Sequence, residues 1–146
     1  MPIEQLQDFL VLDSRLTEVS RAQSWAEAFA DRFGVTENIR YAIRLCLEEA
    51  LANVIRHGYR SESGHRIVIR CWCSSDTLFF AIDDKALLFN PADALPRDDG
   101  SEPVSLESIA PGGNGLPLLR HFAGSLAYER LPEGNRLTMG FSISVS

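Results

Sequence analysis

The sequence predicts an α+β fold: a two-layer sandwich in which a mixed, mostly antiparallel sheet carries helices on one face. Three observations carry this reading. Two segments with apolar residues at three- and four-residue steps fill the first part of the chain. Two β-patterned segments, "RIVIRCWCS" and "TLFFAIDD", follow them around a short polar turn. A second pair, "SLAYERL" and "RLTMGFSISV", closes the chain around "PEGN".

Taken in order, "FLVLDSRLTEV" has an apolar start that suits a first strand or extended segment. From about Leu16 to Phe33 the apolar residues Leu16, Val19, Trp25, Ala26, Phe29 and Phe33 mark a helix, and Gly34 stops it. Thr36 can cap the next helix, with Glu37 in its first turn. That helix runs through Ile39, Ala42, Ile43, Cys46, Ala50 and Val54 to about His57, and Gly58 ends it. "RSESGH" is a polar turn, and "SSD" reads as the hairpin turn between the two strands that follow. From Asn90 to Asn114 the chain is rich in Pro, Gly, Asp and Ser, a length of loop that in so small a domain is functional or disordered. It ends in "PGGNG", ahead of a short helix, "LPLLRHFAG". There is no internal repeat.

The 146 residues suffice for one domain with a real core, 1–146, and are too few for two comfortable ones. A net charge of -6 argues against a general nucleic-acid binder, which needs a positive surface. No apolar run reaches membrane-spanning length, and "MPIEQLQDF" lacks the basic start and apolar stretch of a secretion signal, so the expectation is a cytoplasmic protein with no membrane partner. Cys46, Cys71 and Cys73 fit a reducing compartment. Cys71 and Cys73 share a strand face but lack two further ligands at suitable spacing, so they read as buried structural thiols rather than a metal pair.

Three groups of residues could carry chemistry. In "CLEEALANVIRHGY", Glu49, Asn53 and His57 recur four residues apart, so on an α-helix they point nearly the same way beside apolar Cys46, Ala50 and Val54. Such a stripe either satisfies itself, with His57 favouring the helix dipole, or faces a ligand. In the second reading Asn53 offers a neutral oxygen to Mg²⁺ and Glu49 acts as a general base. In "AIDDKALLFNP", Asp83 and Asp84 are adjacent on a strand and must point to opposite faces, one to a pocket and one to solvent or a local partner. Gly112, Gly113 and Gly115 precede a helix whose first turn suits Pro117, which makes either a hinge or a phosphate cradle. The cluster is neither a Walker loop nor a dinucleotide fingerprint.

Their order is more specific than any one of them. Glu-x-x-x-Asn on a helix, an Asp after a central strand, and a loop ending in Gly-Gly-x-Gly-Leu resemble the GHKL ATPases, the superfamily of gyrase, the heat-shock chaperone, histidine kinases and the mismatch-repair ATPase. Within it, "EEALANVIRHGY" is similar to the N box of the small bacterial anti-sigma factors that are also serine protein kinases. "LFNP" resembles their "PFDP", "GGNGLPLLR" their "GGxGLxLI" box, and "PEGNRLTM" their final hairpin. The resemblance spans nearly the whole chain and implies the Bergerat, histidine kinase-like ATPase fold.

It also implies roles. Glu49 would be the general base for a protein serine hydroxyl and Asn53 the Mg²⁺ ligand. Asp84 would accept a hydrogen bond from the adenine amino group. Gly112, Gly113, Asn114 and Gly115 would hold the phosphates of ATP, with Leu116 following. His57 would lie near the phosphates, and about 90–111 would form the lid. The family usually reads Asp-x-Gly at the adenine site, where this chain reads Asp84-Lys85-Ala86. Ala86 adds a methyl group there. The implied activity is that of an ATP- and Mg²⁺-dependent serine/threonine protein kinase and anti-sigma factor in a partner-switching cycle. Its partners would be an anti-sigma factor antagonist, phosphorylated on serine, and a sigma factor, with a homodimer as a candidate state. The alternative is a catalytically weak or nucleotide-free adaptor of the same fold.

Overall fold

The computed structural model describes residues 7–85 and 122–143. Strand β1 (Gln7–Asp13) leads through a 3-10 turn (Leu16–Glu18) into helix α1 (Val19–Asp31). The apolar period begins at Leu16, as the sequence suggests, but its first turn is wound tighter than an α-helix. Gly34, at φ +64°, turns the chain out of the helix. Thr36 then caps helix α2 (Glu37–Asn53), its Oγ1 accepting from the Ile39 N–H at 3.3 Å. The last turn of this segment, Val54–Gly58, is a π-helix.

Strands β2 (Arg66–Ser74) and β3 (Thr77–Asp84) form the first hairpin; Ser75 takes the left-handed conformation in its turn (φ +58°). Strands β4 (Ser125–Leu131) and β5 (Gly134–Ser142) form the second. Its turn is tighter than expected, because Gly134 and Asn135 already belong to β5. The five strands make one sheet in the order β1-β2-β3-β5-β4, every neighbouring pair antiparallel. The expected helix "LPLLRHFAG" and the loop before it lie outside the described residues, apart from the last positions of the former.

Strand alternation decides the core. Ile67, Ile69, Cys71 and Cys73 of β2, Leu78, Phe80 and Ile82 of β3, and Leu137, Met139 and Phe141 of β5 are all buried. They share one cluster with Ala22, Ala26 and Phe29 of α1 and Ile43, Leu47 and Leu51 of α2. Gln23 bridges the helices, its Nε2 donating to the Arg44 carbonyl at 2.9 Å. All three cysteines are free and buried, as expected. Burial pushes the Cys46 and Cys71 thiols up to about 12, with the charge of Glu49 adding at Cys46 and that of Asp8 at Cys71. They act as small apolar side chains.

Candidate functional site

Helix α2 positions the first part of the site. Cys46, Ala50 and Val54 hold one side of it in the core, which leaves Glu49 and Asn53 half-buried at the margin. The π turn changes the end of the stripe. The Tyr59 N–H bonds to the Val54 carbonyl at 2.9 Å, five residues back. His57 lies within this turn and is exposed, where Glu49 and Asn53 are half-buried. Beside Glu49 a groove of about 370 Å³ opens between the start of α1 and α2, lined among others by Thr17, Ser20, Gln23, Glu48 and Arg56.

Strand β3 positions the second part. Asp83 and Asp84 point to opposite faces, as alternation requires. Asp83 faces away from the helices and pairs with Arg70 at 2.7 Å and Arg136 at 2.7 and 2.8 Å. Burial alone would raise its pKa, but hydrogen bonds from Arg136 and Arg70 outweigh it and hold the carboxyl below its ordinary range. Asp84 projects to the core side and is 4% exposed. The fully buried Asn135 donates from Nδ2 to Asp84 Oδ1 at 3.0 Å. Gly134 brings the β4–β5 turn against the Asp84 carbonyl, where a Cβ would lie 2.9 Å from both Asp84 C and Lys85 Cα. A hollow of about 380 Å³, lined among others by Val68, Asp83, Asp84, Lys85 and Leu131, borders this strand end.

Asn135 and Gly134 were not among the residues singled out from the sequence. The signal was present for Asn135. In "NRLTMGF" it falls on the same face as Leu137, Met139 and Phe141, and a polar group at an apolar period position needs a built partner. Ala86, Gly112, Gly113, Asn114, Gly115, Leu116 and the 90–111 segment lie outside the described residues.

Among the described residues no three His, Cys, Asp or Glu side chains come together as a metal cage. The Asn53 oxygen still suits Mg²⁺, which takes few protein ligands where phosphate oxygens and water complete its shell. Asp84 suits an amino donor: its carboxylate is nearly withdrawn from water and anchored by the Asn135 amide.

A helix-borne Glu and Asn and a buried strand-end carboxylate, on an antiparallel sheet with helices on one side, agree with the sequence comparisons. Residues 12–141 match the histidine kinase-like ATPase domain, and the chain belongs to that family. Across 134 residues it is 31% identical to the serine/threonine-protein kinase BtrW of Bordetella bronchiseptica, an alignment covering 90% of this chain and 91% of that one. It is also 27% identical over 93 residues to the anti-sigma F factor of Oceanobacillus iheyensis, covering 62% of this chain and 60% of that protein. No helix among the described residues is long and apolar enough to cross a membrane.

Proposed function

We propose that this chain is a cytoplasmic, ATP-dependent serine/threonine protein kinase that also serves as an anti-sigma factor, switching partners when it phosphorylates a small antagonist protein on serine. The observation that carries this reading is the placement of Glu49 and Asn53 on one margin of α2, with the buried, amide-anchored Asp84 at the end of β3. Phosphoryl transfer asks the protein mainly for position and charge neutralisation. Glu49 would take the proton of the acceptor serine as its oxygen bonds to the γ-phosphorus and the bond to the ADP oxygen breaks. The groove beside Glu49 gives the acceptor segment an approach from the α1 side. Asn53 would hold Mg²⁺, which when bound neutralises phosphate charge, and Asp84 would select adenine through its amino group. Gly112, Gly113 and Gly115 would receive the phosphates. A nucleotide-free adaptor is the second reading, favoured by Ala86 where the family usually carries glycine.

Calorimetric titration with ATP, with and without Mg²⁺, separates the two. The kinase reading expects Mg²⁺-dependent binding that Asn53→Ala weakens. It expects Glu49→Gln to abolish phosphoserine formation on the antagonist while ATP affinity stays within about twofold of wild type, because the base acts on the acceptor. Wild-type transfer by Glu49→Gln overturns the role of Glu49, and no binding at millimolar ATP supports the adaptor.

A further inference from the structure

We propose that Tyr59 is a positioning residue for nucleotide-base recognition: its hydroxyl replaces a rung of the sheet and sets where Asp84 stands. The inference rests on the reading of Asp84 as the acceptor for the adenine amino group.

The β2–β3 register pairs Val68 with Asp83. Two more steps of the same register would set Arg66 opposite Lys85, where an antiparallel ladder would place a direct N–H to carbonyl bond. The Tyr59 hydroxyl stands there instead. It accepts from the Lys85 N–H at 2.6 Å and donates to the Arg66 carbonyl at 3.2 Å. An inserted hydroxyl keeps both groups satisfied while parting the two strand ends by its own width.

The peptide that joins Asp84 to Lys85 is thus bonded at one polar group and closely packed at the other. Tyr59 takes the N–H, and the backbone at Gly134 abuts the carbonyl. The Asp84 side chain hangs from that peptide and is fixed in turn by Asn135. Tyr59 is itself well anchored. It is 7% exposed, its ring stacks flat on His65 at 4.4 Å, and its own N–H closes the π turn that ends α2. One residue therefore links the helix bearing Glu49 and Asn53, through its backbone, to the strand end bearing Asp84, through its hydroxyl.

Tyr59→Phe removes the hydroxyl and keeps the ring. Without it the Lys85 N–H loses its partner, the strand end relaxes in the free protein, and binding the base must pull it back. ATP affinity should fall about tenfold, the effect of losing one hydrogen bond to a buried group. The preference for ATP over GTP should fall by the same factor. Affinity for inorganic tripolyphosphate with Mg²⁺ should not change, because that probe has no base. Calorimetry with the three ligands reads all of this, and circular dichroism confirms that the variant is folded.

Unchanged ATP affinity overturns the proposal. So does a loss shared equally by ATP and tripolyphosphate with the ATP/GTP ratio preserved, since general support of the fold predicts that pattern. Asp84→Asn separates the underlying reading. If that variant binds ATP as wild type does, there is no base contact to position and both ideas fail; if it weakens ATP while Tyr59→Phe does not, only the role of Tyr59 fails. Should Tyr59→Phe not fold, hydrogen exchange of the wild type decides. The Lys85 amide should be protected without nucleotide and slowed further by ATP but not by tripolyphosphate. An amide that exchanges as freely as an unpaired one overturns the proposal.

Discussion

Gly134→Ala tests whether the β4–β5 turn is pressed onto the strand end that carries Asp84. The added Cβ would lie 2.9 Å from Asp84 C and Lys85 Cα, and closer still to the Asp84 carbonyl oxygen. All three are backbone atoms, so no side chain can swing aside, and the turn must lift. Overpacking of this kind destabilises by about 1–3 kcal/mol. The Asn135 to Asp84 hydrogen bond is the next residue along and would stretch or break, adding about 1 kcal/mol. The sum is about 2–4 kcal/mol, which at a urea slope of about 2 kcal/mol/M lowers the unfolding midpoint by about 1–2 M. Gly34→Ala is the control. Its φ of +64° disfavours alanine, but nothing lies within 4 Å of the new carbon, so only conformational strain of about 1 kcal/mol applies. A Gly134→Ala midpoint no lower than that of Gly34→Ala would refute the close-approach argument.

Two further outcomes follow from other parts of the fold. Thr36→Ala removes the cap of α2, and because the bond to the Ile39 N–H is long at 3.3 Å, the expected loss is about 0.5–1 kcal/mol by urea unfolding. Asp83 governs a pH effect. Its folded pKa lies below the ordinary 3.8, so its stabilisation is fully present above that value and drains away as pH falls through the lowered one. Asp83→Asn should lose about 1–2 kcal/mol at neutral pH and show a shallower decline on acidification than wild type. Parallel acid slopes in the two proteins would remove Asp83 from the account.

The elements were legible where periodicity was long. The two helices, the β2–β3 pair and the closing hairpin all stand close to where apolar spacing put them, because both helices, β2, β3 and β5 bury a face in the same core, while β4 packs Leu126 and Tyr128 against its margin. The splitting of Asp83 from Asp84 was legible for the same reason, since strand geometry leaves adjacent residues no choice of side. The π turn was not. It keeps helical composition through "VIRHG" and differs only in which carbonyl the Tyr59 N–H selects, a choice fixed by where Tyr59 must lie against Lys85 and Arg66. Asn135 was missed because its partner is remote. A polar residue on an apolar face says that a partner exists but does not say which.

That remoteness has a consequence for the order in which the molecule can come apart. Each hairpin is local, and its strands are joined by a two-residue turn. The seam between β3 and β5 is not: Asp84 and Asn135 meet across 51 positions of chain. The clasp of β1 onto the loop after α2 is equally distant, with Asp13 accepting from the Gly64 N–H, again 51 positions away. Closing such spans costs entropy that only the assembled core returns. Opening the β3–β5 seam would leave both hairpins intact as local units and still part Asp84 from Asn135, which meet across it. That contact therefore belongs to neither hairpin alone, and it reports on the closure of the whole chain.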